Sequence, residues 1–222
     1  MKVSTDACLL GATADLTGAT HLLDIGTGTG LLALMAAQRH ATVEIEAVEI
    51  DAAAAAQAAA NMAASPWAGR IRAHATSLAE YAATKPTPFS HIICNPPFFR
   101  QSLRSPDAAR STARHEATDS LSFDALAAFA ATFLMPTGLL TVLLPPPEMR
   151  AFEQVAAAVG LHAHTRLVVR HRPGSKPLRQ ITGFRRAAVV VRQTELTIRT
   201  VESDAEYSAE FQALLAGFYL AL

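Results

Sequence analysis

Asn95-Pro96-Pro97-Phe98 sets an amide, two rigid backbone carbonyls and an aromatic ring in four consecutive residues. Such a set suits an amino nitrogen whose lone pair is delocalised into a ring or a carbonyl. The Asn95 side-chain oxygen and a proline carbonyl can accept its two N–H hydrogens, holding the nitrogen toward tetrahedral geometry and aiming its lone pair at an electrophilic methyl. The gain is positioning plus stabilisation of charge that grows on nitrogen, and no strong base is needed. Phe98 can stack on the face of a base. A plainer reading makes the prolines a strand terminator, since proline lacks an N–H and restricts the residue before it. That reading leaves the joint presence of Asn95 and Phe98 without a reason.

A second constellation holds a ligand. In Asp24-x-Gly26-x-Gly28-x-Gly30, glycines let the backbone turn tightly and approach a ligand without a Cβ in the way, and the helix that follows presents unpaired N–H groups. Glu49, at the end of the next apolar run, can accept both hydroxyls of a ribose. Together Gly26, Gly28, Gly30 and Glu49 indicate an adenosine-bearing ligand. Gly28-x-Gly30-x-x-Ala33 also passes as a dinucleotide fingerprint, so a nicotinamide cofactor is a competing reading. Nicotinamide chemistry gives no use for the Asn95 corner.

These residues need a sheet to place them. Thr20–Ile25, Thr42–Ile50, Ile71–Thr76 and Phe89–Cys94 read as strands, with helices at Leu31–His40 and Asp51–Ala64 between them. The alternation fits right-handed crossovers and a parallel sheet covered by helices on both faces. Asn95 and the glycine turn then fall at the C-terminal ends of strands, where ligands bind in open α/β sheets. Arg100–Ser120, polar and without period, reads as a cover or substrate arm. Phe123–Leu134 has helical spacing stopped by Pro136-Thr137-Gly138, Leu139–Leu144 is a fifth strand stopped by Pro145-Pro146-Pro147, and Glu148–Val159 is a further helix. His164–Arg172 and Phe184–Arg192, around the loop Pro173–Pro177, predict an antiparallel pair at the sheet edge. Ser4-Thr5-Asp6 caps a short helix at one end of the chain, and Ser208–Leu222 is amphipathic at the other. The expected fold is therefore α/β: one Rossmann-like domain over residues 1–222, with a mostly parallel seven-stranded sheet.

Half of the 222 residues are hydrophobic, yet no apolar run approaches the roughly 20 residues of a membrane helix. The chain's start lacks the pattern of an export signal. Cys8 and Cys94 are the only cysteines and no His/Cys cluster has metal spacing, so neither a disulfide framework nor a bound metal is expected, and the cytoplasm fits. Net charge is zero, but its distribution is uneven. Gln154–Thr194 contains no acid, while Arg166, Arg170, Arg172, Lys176, Arg179, Arg185, Arg186 and Arg192 are all basic. Such a segment fits a phosphate backbone, with the solvated face of a hairpin as the alternative.

With these residues in hand, the chain resembles the class I S-adenosylmethionine-dependent N-methyltransferases that carry an Asn-Pro-Pro-aromatic motif, and within them the bacterial tRNA1(Val) adenine-37 N6-methyltransferase family. The likeness runs from Met1-Lys2-Val3-Ser4-Thr5-Asp6 through Leu23-Asp24-Ile25-Gly26-Thr27-Gly28-Thr29-Gly30 to Phe218-Tyr219-Leu220. The resemblance implies S-adenosyl-L-methionine as cofactor, tRNA as partner and a monomer. It assigns the target adenine to Asn95, Pro96, Pro97 and Phe98. It assigns the cofactor to Lys2, Thr5, Asp6, Asp24, Gly26, Gly28, Gly30, Glu49 and Thr76. RNA would meet Phe99, Arg170, Arg172, Lys176 and Arg179. One departure stands out: where such enzymes commonly carry an acid after the third strand, this chain has Ala75-Thr76-Ser77. Guanine N2 in ribosomal RNA and a protein glutamine amide offer the same kind of nitrogen and are alternative substrates. A non-catalytic RNA-binding module is the alternative from another class.

Overall fold

The computed structural model describes residues 4–96, 121–201 and 206–219. The chain opens with α1 (Thr5–Thr13), whose N-cap Ser4 accepts the Ala7 N–H on its hydroxyl. Then β1 (His21–Ile25), α2 (Leu31–Arg39), β2 (Glu44–Glu49), α3 (Ala52–Ala63), β3 (Ile71–Ala75), α4 (Leu78–Ala83) and β4 (Phe89–Cys94) alternate, with α4 added to the expected elements. After these come α5 (Phe123–Phe133), β5 (Leu134–Leu144), α6 (Pro146–Ala158), β6 (His162–Arg170), β7 (Pro177–Arg185), β8 (Arg192–Thr197) and α7 (Ala209–Leu215).

The strands form one sheet in the order β3-β2-β1-β4-β5-β7-β6-β8. Five run parallel from β3 to β5, β7 is reversed against both β5 and β6, and β8 is again parallel to β6. Alternate side chains feed two cores, because successive residues of a strand face opposite sides of the sheet. Leu22, Ile93, Leu143 and Ile181 pack under α1, α2, α3 and α7. Leu23, Ile92, Leu140 and Phe184 pack under α4, α5 and α6. Every residue of β4 is buried, as its β-branched run between two layers requires.

Several expectations need correction. The sheet has eight strands among the described residues, not seven, and the antiparallel pair is not at its edge. The run Phe184–Arg192 is the tail of one strand and the head of another: β7 starts back at Pro177, and Val189 and Val190, 48% and 94% exposed, cross to β8 outside the sheet. β-branched residues read as strand wherever they stand, and only a partner strand makes them one. Pro136-Thr137-Gly138 does not separate α5 from its strand, since β5 begins at Leu134 and runs through them. Pro145-Pro146-Pro147 ends β5 and also opens α6, with Pro146 in the first helical position, where a missing N–H costs nothing. Among the described residues of the amphipathic C-terminal stretch, the helix covers Ala209–Leu215, capped by Ser208. Among the described residues, no helix is long and apolar enough to cross a membrane.

Candidate functional site

The sheet reverses its winding between β1 and β4, and the glycine turn and Asn95 stand on either side of that crevice. Ile25 pairs with Cys94, so Gly26 and Asn95 leave neighbouring strands at the same level. Gly26, Gly28 and Gly30 have φ of +70°, +59° and +89°, a region that disfavours any side chain. The turn is anchored from β2: the N–H groups of Gly26 and Thr27 donate to the Val48 carbonyl at 2.9 and 3.1 Å.

Asp24 lies fully buried beneath the turn. Its Oδ2 accepts the Thr27 hydroxyl at 2.5 Å and the Ala33 N–H at 3.2 Å. Its Oδ1 is buried with no partner among the described residues. Burial pushes the carboxyl up to about 7, against the lowering effect of those two hydrogen bonds.

Glu49 closes the turn from the end of β2. Its Oε2 accepts the Gly28 N–H at 2.8 Å and its Oε1 the Asp51 N–H at 3.0 Å. Next along the edge, the Thr76 N–H donates to the Glu49 carbonyl at 3.0 Å. The stretch Ala75-Thr76-Ser77 holds no acid, yet a carboxylate stands there. Glu80 Oε2 accepts the Thr76 hydroxyl at 3.0 Å, the Ser77 N–H at 3.0 Å and the Ser77 hydroxyl at 2.9 Å, which holds its carboxyl below the usual range. The pattern Ser77-x-x-Glu80 was the signal for this, a capping box opening the unexpected α4.

Asn95 is half-buried and Pro96 buried. Asn95 Oδ1 is inaccessible to solvent and has no hydrogen-bond partner among the described residues. An unpaired buried acceptor is costly, roughly 1–3 kcal/mol, which makes Asn95 Oδ1 a candidate for a donor supplied by a ligand. Pro97, Phe98, Phe99, Lys2 and the stretch 100–120 lie outside the described residues.

The basic segment divides between the two ends of the sheet. Because β7 is reversed, the β6–β7 turn with Arg172 and Lys176 lies at the same edge as Asn95, while Arg185 lies at the far end of β7. Carboxylates from outside the segment meet several of its cations. Arg170 makes a bidentate pair with Glu195, both contacts at 3.0 Å, Arg166 pairs with Glu153, and Arg179 Nε donates to Asp6 Oδ2 at 2.8 Å. Lys176 is exposed at the turn. A run free of acids in the sequence is thus only partly so in space, because β6 receives Glu195 from β8 and Glu153 from α6.

Residues 5–142 match the methyltransferase small domain family. The chain is 43% identical over 220 residues to a tRNA1(Val) (adenine(37)-N6)-methyltransferase of Phocaeicola vulgatus, covering 99% of this chain and 91% of that one. It is 40% identical over 221 residues to the protein of the same description in Pectobacterium carotovorum subsp. carotovorum, covering 99% and 88%. Among solved structures, a predicted O-methyltransferase from Agrobacterium tumefaciens is similar with a TM-score of 0.68 at 19% identity, covering 96% of both chains. Ribosomal protein L11 methylase from Lactobacillus delbrueckii subsp. bulgaricus gives 0.56 at 17% identity, covering 82% of this chain and 77% of that one. These last two likenesses are of fold.

Proposed function

The chain belongs to the methyltransferase small domain family, and we propose that it moves a methyl group from S-adenosyl-L-methionine to N6 of adenine 37 in tRNA1(Val), in the cytoplasm. The observation that carries the reading is Asn95 Oδ1, a buried acceptor with no partner among the described residues, one strand from the glycine turn. Relatives at 43% and 40% identity over nearly the whole chain bear that activity in their names.

The residues at the turn fit such a cofactor. A Cβ on Gly26 would meet nothing within 4 Å, and Asp24 Oδ1 has no partner among the described residues. When bound, S-adenosyl-L-methionine supplies a methyl on a sulfonium, ready for attack by a nitrogen. Asp24, Gly26, Gly28, Gly30, Glu49 and Thr76 would hold it, Glu49 by accepting the ribose hydroxyls, together with Lys2, Thr5 and Asp6 from the start of the chain. Asn95 Oδ1 would accept one N–H of the target amino group and the Pro96 carbonyl the other, which would orient the nitrogen lone pair for methyl transfer. Positive charge developing on that nitrogen is stabilised by the two oxygens already in place. Phe98, following Pro97, would stack on the base, and Phe99, Arg172 and Lys176 would meet the RNA, with Arg170 and Arg179 held beside them by Glu195 and Asp6.

Nucleoside analysis tests the reading directly. tRNA treated with the protein and methyl-labelled cofactor should yield N6-methyladenosine at position 37. Label in N2-methylguanosine or in protein glutamine, or no label at all, would overturn it.

A further inference from the structure

Asp6 and Arg179, assigned from the sequence to two different ligands, meet each other in the structure. The Arg179 Nε–Asp6 Oδ2 contact is 2.8 Å, and each side chain is 21% exposed. Asp6 belongs to the first turn of α1. Arg179 belongs to β7 and is one residue from Gln180, which pairs with Leu144 at the end of β5. The pair therefore stands at the same edge of the sheet as Asn95 and the glycine turn.

The other half of α1 is fixed to α2, the helix that leaves the glycine turn. Arg39 Nη1 donates to the carbonyls of Gly11 and Ala14, both at 2.8 Å. Gly11 approaches α2 so closely that a Cβ there would lie 2.4 Å from Met35 Sδ. So α1 is a bar with one end on the glycine-turn helix and the other on the basic hairpin. A largely desolvated ion pair makes the second joint firm, because separating it strands a charge on each side.

We propose that the Asp6–Arg179 pair couples the two sites, so that RNA held along the β6–β7 hairpin raises the affinity of the glycine-turn site for cofactor and for its demethylated product. Asp6 and Arg179 act here as positioning residues. RNA that orders β7 also orders the first turn of α1, and the second ligand then has less conformational freedom to remove. By reciprocity, cofactor strengthens RNA binding by the same factor. The inference rests on the function proposed above.

The test is calorimetric titration of S-adenosylhomocysteine into the full chain, with and without an anticodon stem-loop carrying the target adenine. RNA should tighten product binding to the unaltered protein by about fivefold or more. Asp6→Asn, Arg179→Lys and the double variant should each bring that ratio close to one, with the double no lower than either single. A purely structural role would weaken product binding equally with and without RNA and leave the ratio alone. A ratio of one in the unaltered protein, or variants that keep its ratio, would overturn the coupling while the proposed function stands. A protein that binds neither ligand overturns both. Should a variant not fold, hydrogen exchange in the unaltered protein decides: amides of residues 5–10 must gain protection on adding RNA, and unchanged protection sinks the proposal.

Discussion

Glu49 Oε2 accepts the Gly28 N–H at 2.8 Å, so the carboxylate at the end of β2 holds the glycine turn shut from the neighbouring strand. In the proposed function Glu49 serves the ligand site twice, by shaping the turn and by accepting the ribose hydroxyls. Glu49→Ala should raise the dissociation constant for S-adenosylhomocysteine about 10- to 100-fold, the scale of one or two hydrogen bonds to a charged group. Glu49→Gln keeps one acceptor and should fall between. Calorimetric titration checks both, and an unchanged constant in the alanine variant would remove Glu49 from the site.

Asn95 has the opposite profile, since its Oδ1 makes no bond to the described protein. Asn95→Ala should lower kcat by about 100-fold or more, the usual loss when one pre-placed partner of the transition state is deleted. Product binding should stay within about threefold. The melting temperature should hold or rise, because a buried unpaired acceptor disappears. A clear fall in melting temperature would mean that Asn95 is a structural residue.

Asp24 gives a pH dependence whose sign is fixed by its raised carboxyl. Between the ordinary carboxylate range and about 7, the folded protein keeps a proton that the unfolded chain releases, so stability falls as pH rises through that window. Asp24→Asn should lose this contribution. Urea denaturation from pH 4.5 to 7.5 should show the variant gaining on the unaltered protein as pH increases. Parallel curves would assign the trend to other groups.

The basic hairpin separates into two behaviours. Lys176 is exposed, and Lys176→Gln should weaken RNA binding with a salt slope shallower by roughly one, as for one lost phosphate contact. Arg170 is paired with Glu195, and Arg170→Gln should lower stability by loosening β8 from β6. Filter binding over a salt series and thermal denaturation distinguish them. An equal loss of RNA affinity and no loss of stability in both would place Arg170 beside Lys176 on the RNA.

Ser77 tests the capping box at the end of β3. Ser77→Ala should cost about 1 kcal/mol of stability, typical of a lost N-cap. It also takes from Glu80 one of its three donors, the Ser77 hydroxyl, so the Glu80 carboxyl should titrate closer to its ordinary value, which NMR titration measures.

Local chemistry made the first half of the fold legible. Thr20–Ile25, Phe89–Cys94 and the glycine turn each carry their own punctuation, and the structure places them at nearly the expected residues. The second half depends on contacts between distant segments. Nothing in Phe184–Arg192 tells that β7 ends at Arg185, because that end is set by pairing with β5 and β6. Nothing in Arg179 announces Asp6, 173 residues away. Glu80 was legible from its capping box, but an acid was sought three to five positions earlier in the chain. Whether a charged residue is available to a ligand is a property of its neighbours in space, and a single sequence does not state those.

The reversed β7 has a consequence for how such an enzyme changes substrates. Because β6 and β7 are joined by a hairpin and not by a crossover helix, the turn Arg172–Lys176 protrudes from the sheet without passing over either core. In the proposed function, residues inserted or exchanged there would lengthen the grip on RNA while the seven co-directional strands, and the corner at Asn95, keep their spacing. The turn is a graftable part: swapping residues 172–176 between relatives should transfer preference for an RNA and leave the Arg179–Asp6 joint in place.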